Sequence, residues 1–137
     1  MKATGGCLCG QIRYEVDSDT FIAVSCHCRD CQYVSGGEPA VAVAVPADTV
    51  RTVKGHARVF NTTADSGTRV YRSFCADCGT PLFAGNEGHP EIIAVKIGSL
   101  DDPSGFTPAY YIWVSSAQPW HHIGPTKPAF PKGPGQP

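Results

Sequence analysis

Seven cysteines fall in three tight groups: Cys7-Leu8-Cys9, Cys26-His27-Cys28-Arg29-Asp30-Cys31 and Cys75-Ala76-Asp77-Cys78-Gly79. Thiolate sulfur is a soft donor that suits zinc at tetrahedral spacing. A closed structural site takes four such ligands. An open site takes three and leaves a position for water or a substrate atom. The seven thiols are the number needed for one of each, which points to a metal protein with room for chemistry. Cys75 and Cys78 form a C-x-x-C knuckle that presents two thiolates to one ion, and Gly79 suits the turn that follows.

Two groupings of the thiols are open. Cys7 and Cys9 join Cys75 and Cys78, leaving Cys26, Cys28 and Cys31 as an open triad. Alternatively, Cys28 and Cys31 join the knuckle as a ribbon-like site, stranding Cys7, Cys9 and Cys26. The first uses all seven in two chemically sensible sets and is preferred. Free cysteine often only packs, but three clusters at ligand spacing are hard to explain that way. A thioredoxin-like role for Cys28-Arg29-Asp30-Cys31 lacks the strand–helix context it needs.

An open zinc on three thiolates carries a net negative charge and is a weak Lewis acid. That favours presenting a substrate thiol as thiolate over hydrolysis by a polarised water. The natural partner of such a thiolate is an electrophile, for example an aldehyde. His27, between two candidate ligands, titrates near neutral pH and is a candidate proton carrier. The competing reading turns its ring away from the ion onto a backbone or carboxylate partner. Asp30 either hydrogen-bonds around the site or caps a turn.

The bulk numbers narrow the setting. A chain of 137 residues fits one domain. A net charge of -1 argues against a nucleic-acid surface. The 15 glycines and 12 prolines predict an ordered, loop-rich fold with short elements. The start of the chain has no apolar signal-peptide core, and no run approaches the ~20 apolar residues of a membrane span. A cytoplasmic, reducing setting is expected. There, clustered and odd-numbered cysteines favour metal over disulfides.

The elements that must position these thiols are short. Alternation and apolar runs predict strands over 10–16, 21–25, 41–45, 50–53, 57–61, 68–74, 92–97 and 110–114. Residues 29–34 form one helical turn, stopped by Ser35-Gly36-Gly37. Many short strands with turns between them predict an all-β domain over residues 1–122. Residues 123–137 form a Pro-rich tail, with Pro125, Pro128, Pro131, Pro134 and Pro137 at polyproline II spacing. An extended strap is preferred for it over a docking segment. His121 and His122 are expected at the surface, and Trp113 and Trp120 as core and rim aromatics.

Gly6-Cys7-Leu8-Cys9-Gly10, Cys26-His27-Cys28-Arg29-Asp30-Cys31-Gln32, Cys75-Ala76-Asp77-Cys78-Gly79-Thr80 and the segment Tyr111-Ile112-Trp113-Val114-Ser115-Ser116-Ala117-Gln118-Pro119-Trp120 together carry a resemblance. From about Gly5 to Trp120 the chain resembles the glutathione-dependent formaldehyde-activating enzyme family, whose domain is shared with centromere protein V. The resemblance implies a β-tent of short antiparallel sheets around zinc sites. It implies two zinc ions per chain, a structural one on Cys7, Cys9, Cys75 and Cys78 and a catalytic one on Cys26, Cys28 and Cys31. It also implies a carbon–sulfur lyase that adds glutathione to formaldehyde to give S-hydroxymethylglutathione.

The partners expected are therefore a small-molecule thiol and an aldehyde or related electrophile, with no nucleic acid and no membrane; a homodimer is allowed. Residues 32–38, after the triad, hold no basic side chain to meet a glutathione carboxylate. That and the Pro-rich tail motivate the alternative of a non-catalytic zinc β-tent that binds a small thiol or a protein partner.

Overall fold

The computed structural model describes residues 2–136; Met1 and Pro137, the ends of the expected domain and tail, lie outside the described residues. The strands are β1 (Lys2–Gly6), β2 (Arg13–Asp17), β3 (Ile22–Cys26), β4 (Ala40–Pro46), β5 (Val50–Lys54), β6 (Arg58–Thr63), β7 (Arg69–Phe74), β8 (Pro81–Asn86), β9 (Ile92–Lys96) and β10 (Tyr110–Ile112). One helix, α1 (Arg29–Val34), and three single 3₁₀ turns complete the series. The chain divides into two compact units: residues 2–21 with Val43–Gly105, and Ile22–Ala42 with residues 106–136.

The first unit is antiparallel and apolar inside. β1, β2 and β5 form one sheet, and β4, β9, β8, β7 and β6 follow one another in a second. β2 alternates as its sequence dictates, with Tyr14 and Val16 buried and Glu15 and Asp17 exposed. Tyr14, Val16, Val43, Val45, Leu82 and Val95 are almost completely shielded from water. Each such apolar side chain contributes roughly 1.5–3 kcal/mol by leaving water. The Tyr14 ring meets Phe83 edge-on at 4.9 Å, and its phenol bonds Ser99 Oγ at 2.6 Å. Burial pushes that phenol up to about 12. Gly5 pairs with Tyr14 across the β1–β2 ladder. A Cβ at Gly5 would overlap the Tyr14 phenol and the Ser99 carbonyl, so only glycine admits this approach.

The second unit has a different interior. β10 lies beside β3, which lies beside β4; residues 40–42 of β4 belong to this unit and 43–46 to the first. In this all-β fold the β3–β10 pair is parallel, as is the isolated bridge of Tyr111 to Ala129 in the tail, whereas β1–β2, β2–β5, β6–β7, β7–β8 and β8–β9 are antiparallel. The long connection from β3 to β10 permits their parallel pairing, which needs a crossover rather than a tight turn. Among the buried residues are Ser25, His27 and Gln32, at 2%, 0% and 1% exposure, so much of this core is polar.

The Pro-rich tail runs along β10. Tyr111 N–H donates to Pro128 O at 2.9 Å, Phe130 N–H to Tyr111 O at 2.9 Å, and Trp113 N–H to Lys132 O at 3.0 Å. Prolines lack an N–H, so this strap lends mainly carbonyls to the pairing. Among the described residues no helix is long and apolar enough to cross a membrane.

Candidate metal centres

The first group of thiols joins two turns of the first unit. Cys7 and Cys9 sit in the connection from β1 to β2, and Cys75 and Cys78 in the turn from β7 to β8. The four Sγ atoms lie within 4.8 Å of one another and could hold a metal ion. Cys7 and Cys9 sulfurs are 3.6 Å apart, and Cys9 and Cys75 sulfurs 3.8 Å. Local geometry builds the knuckle. Gly79 N–H closes the turn onto Cys75 O at 2.8 Å, and Gly79 adopts φ of 78°, a left-handed value that favours glycine.

The sulfurs are met by donors. Ile12 N–H points at Cys7 Sγ at 3.2 Å, and the Thr80 hydroxyl lies 3.2 Å from Cys78 Sγ. The Thr80 side-chain bond, followed by backbone N–H groups, pulls the Cys78 thiol down to about 5. The Cys9 thiol moves to about 12: a backbone bond at Gln11 favours its thiolate, but burial and the three neighbouring thiols outweigh it. A cation bound among the four sulfurs would favour the thiolate form of each.

The second group is local. Cys26 ends β3, Cys28 caps the N-terminus of α1, and Cys31 lies within the helix. Their three Sγ atoms also lie within 4.8 Å of one another. Cys28 Sγ accepts from Cys31 N–H at 3.4 Å. Crowding by Cys28 and Cys31, then burial, holds the Cys26 thiol far above its usual range. Three thiolates cannot share this space without a positive charge among them. A soft divalent cation is the partner that fits this donor set.

His27, expected among the catalytic residues, is anchored at every polar atom. Its N–H donates to Ile112 O at 3.0 Å, and its C=O accepts from Gln32 Nε2 at 2.8 Å. Ring atom Nδ1 lies 2.9 Å from His121 Nδ1, and Nε2 lies 3.3 Å from Ser25 Oγ. The bonding pattern assigns the tautomers. Gln118 N–H donates to His121 Nδ1 at 3.2 Å, and His121 Nε2 faces Gly37 O at 2.8 Å, so His121 carries its proton on Nε2. His27 then donates from Nδ1 and accepts the Ser25 hydroxyl at Nε2. Burial, then the neighbouring His121, depresses the His27 pKa, which keeps the ring neutral.

Gln32 is the residue that sequence reading missed. It uses its full bonding capacity: Nε2 donates to His27 O and to Ser116 O at 2.9 Å, and Oε1 accepts from Arg29 at 2.5 Å and Gln118 at 3.1 Å. The chain reaches Ser116 through Trp113, the one non-glycine residue at positive φ (57°) among those described. Such a conformation is strained for a bulky residue and persists only where its surroundings over-determine it. His121, expected at the surface, is half-buried against His27, whereas His122 is exposed. Trp120 is a rim aromatic, 62% exposed. Asp30 is exposed in the first turn of α1. The only signals for the His27–His121 and Gln32–Gln118 pairs were polar residues some 90 positions apart, which no local spacing connects.

A family model described as glutathione-dependent formaldehyde-activating enzyme matches residues 2–116. Among solved structures, the crystal structure of a Rhodobacter sphaeroides protein, a structural-genomics target, is similar in fold. It shares 24% identity over 77% of this chain and 91% of its own, with a TM-score of 0.58. No curated protein matches the chain.

Proposed function

This chain belongs to the glutathione-dependent formaldehyde-activating enzyme family, and from that premise we propose a zinc-dependent enzyme of the carbon–sulfur lyase type. In this reading Cys7, Cys9, Cys75 and Cys78 hold a structural zinc, and Cys26, Cys28 and Cys31 hold a catalytic one. The observation that carries it is the difference in donor number: four thiols gather in one group and three in the other. A cation on three protein ligands supplies thiol activation, lowering the pKa of an incoming thiol and fixing its sulfur.

The substrates are a glutathione-like thiol and formaldehyde or a related small electrophile. The thiol sulfur adds to the carbonyl carbon, a C–S bond forms, and the C=O π pair moves to oxygen. The proton lost by the thiol ends on that oxygen, giving the S-hydroxymethyl product. Both ring nitrogens of His27 are engaged, so in this proposal the proton travels through water. His27 serves by holding the loop that presents Cys26 and Cys28. Gln32 ties the same loop to the segment around Ser116. Fixing groups before reaction lowers the entropic part of the barrier.

Exchange NMR of glutathione with formaldehyde tests the reading in three samples: no protein, wild type, and Cys28→Ser. Wild type should accelerate exchange and the variant should match the uncatalysed rate. Equal rates in all three reject the reaction. Glutathione binding without acceleration would assign a thiol-binding module instead.

A further inference from the structure

We propose that Arg29, braced by Gln32 and Tyr33, recognises a carboxylate of the thiol substrate and selects anionic thiols over neutral ones; this rests on the reaction proposed above. Arg29 follows the capping Cys28 directly and begins α1. On a helix, residues three and four apart are neighbours. Cys28 and Cys31 therefore form one row, and Arg29, Gln32 and Tyr33 form the row beside it. The sequence after Cys31 has no base until well beyond the helix, but the helical turn brings one back from before it.

The side chain is held ready. One guanidinium N–H donates to Gln32 Oε1 at 2.5 Å, and the guanidinium carbon lies 5.0 Å from the centre of the Tyr33 ring. Gln32 is itself fixed by its three other bonds. Tyr33 is 79% exposed, so burial does not account for an aromatic there; bracing a cation does. Arginine has five N–H donors, and most remain for a ligand. No carboxylate of the described residues forms an ion pair with Arg29. Asp30 lies ~100° further round the helix, in a different row.

A planar guanidinium matches a carboxylate with two parallel N–H bonds. Because it is ordered beforehand, little freedom is lost when the ligand docks. Glutathione suits the arrangement: its sulfur enters at the triad, and its carboxylates lie several bonds away.

Titration calorimetry of the zinc-loaded protein with glutathione and with 2-mercaptoethanol reads the effect. In Arg29→Gln the ratio of the two affinities should fall about tenfold in disfavour of glutathione, as loss of a partly hydrated charge-assisted contact predicts. Arg29→Lys, which keeps the charge and loses the fork, should give an intermediate ratio. An unchanged ratio in Arg29→Gln, with zinc content equal to wild type, overturns the proposal, as does a wild type that binds no glutathione. If wild type binds glutathione through Arg29 but does not accelerate exchange with formaldehyde, the recognition stands and the reaction falls.

Discussion

The two cysteine groups differ in how much chain they tie together. In the first unit, Cys9 and Cys75 are 66 residues apart in sequence, yet their sulfurs are 3.8 Å from each other. A cation there closes a long loop and joins two hairpins, and the entropy of that closure falls on the unfolded chain. In the second unit all three thiols come from the few residues between Cys26 and Cys31. A cation there closes almost nothing. What holds that loop is a polar interior, with His27 and Gln32 buried and bonded at every polar side-chain atom. On the proposed reading, ligand separation distinguishes a site that would carry the fold from one that the fold would carry. The surroundings agree: the first unit packs valines, leucine and aromatics, whereas the second devotes much of its core to positioning a loop.

The largest effect belongs to the long-range set. Cys75→Ser should abolish cooperative folding, since a structural zinc of the kind proposed for this group would contribute on the order of 10 kcal/mol or more. A thermal melt followed by circular dichroism reads this, and a wild-type melt in the variant would break the contrast. Next comes the polar core. Gln32→Ala strips partners from His27 O and Ser116 O and should cost about 2–4 kcal/mol in urea unfolding, as unpaired buried groups do. The long-range metal should remain bound.

The smallest effect lies at the first unit's surface. Arg13, then the Thr4 hydroxyl, holds the Asp101 carboxyl at about 2. The carboxylate is 46% exposed, so screening keeps its contribution below ~1 kcal/mol. A depressed pKa stabilises above the unfolded value near ~3.9 and loses that contribution as pH falls towards about 2. The stability gap between wild type and Asp101→Asn should be present at neutral pH and close across that window. A gap that widens on acidification would contradict the assignment.

Much of this is legible in the sequence. Residues 29–34 are the helix that their position before Ser35-Gly36-Gly37 predicts, and β4 fills the apolar run before Pro46. Two strands escaped. β1 reads Lys-Ala-Thr-Gly-Gly, with little β propensity, and exists because β2 pairs with it and Tyr14 needs the space at Gly5. β8 opens on a proline and contains Gly85, which hid Leu82 and Phe83 as core residues. The thiol clusters were visible because ligand spacing is local. The bonds that orient the triad were not, because His27–His121 and Gln32–Ser116 span 94 and 84 residues. Arg29 was overlooked for a nearer reason: its partners lie one helical turn ahead, and only the helix makes them neighbours.

The division of labour is tested most directly by zinc content and melting of Cys28→Ser, with Cys9→Ser beside it. The account predicts that Cys28→Ser melts cooperatively close to wild type and carries one zinc fewer, while Cys9→Ser fails to fold. Collapse of Cys28→Ser with Cys9→Ser intact would contradict it and join Cys28 and Cys31 to the Cys75–Cys78 knuckle instead.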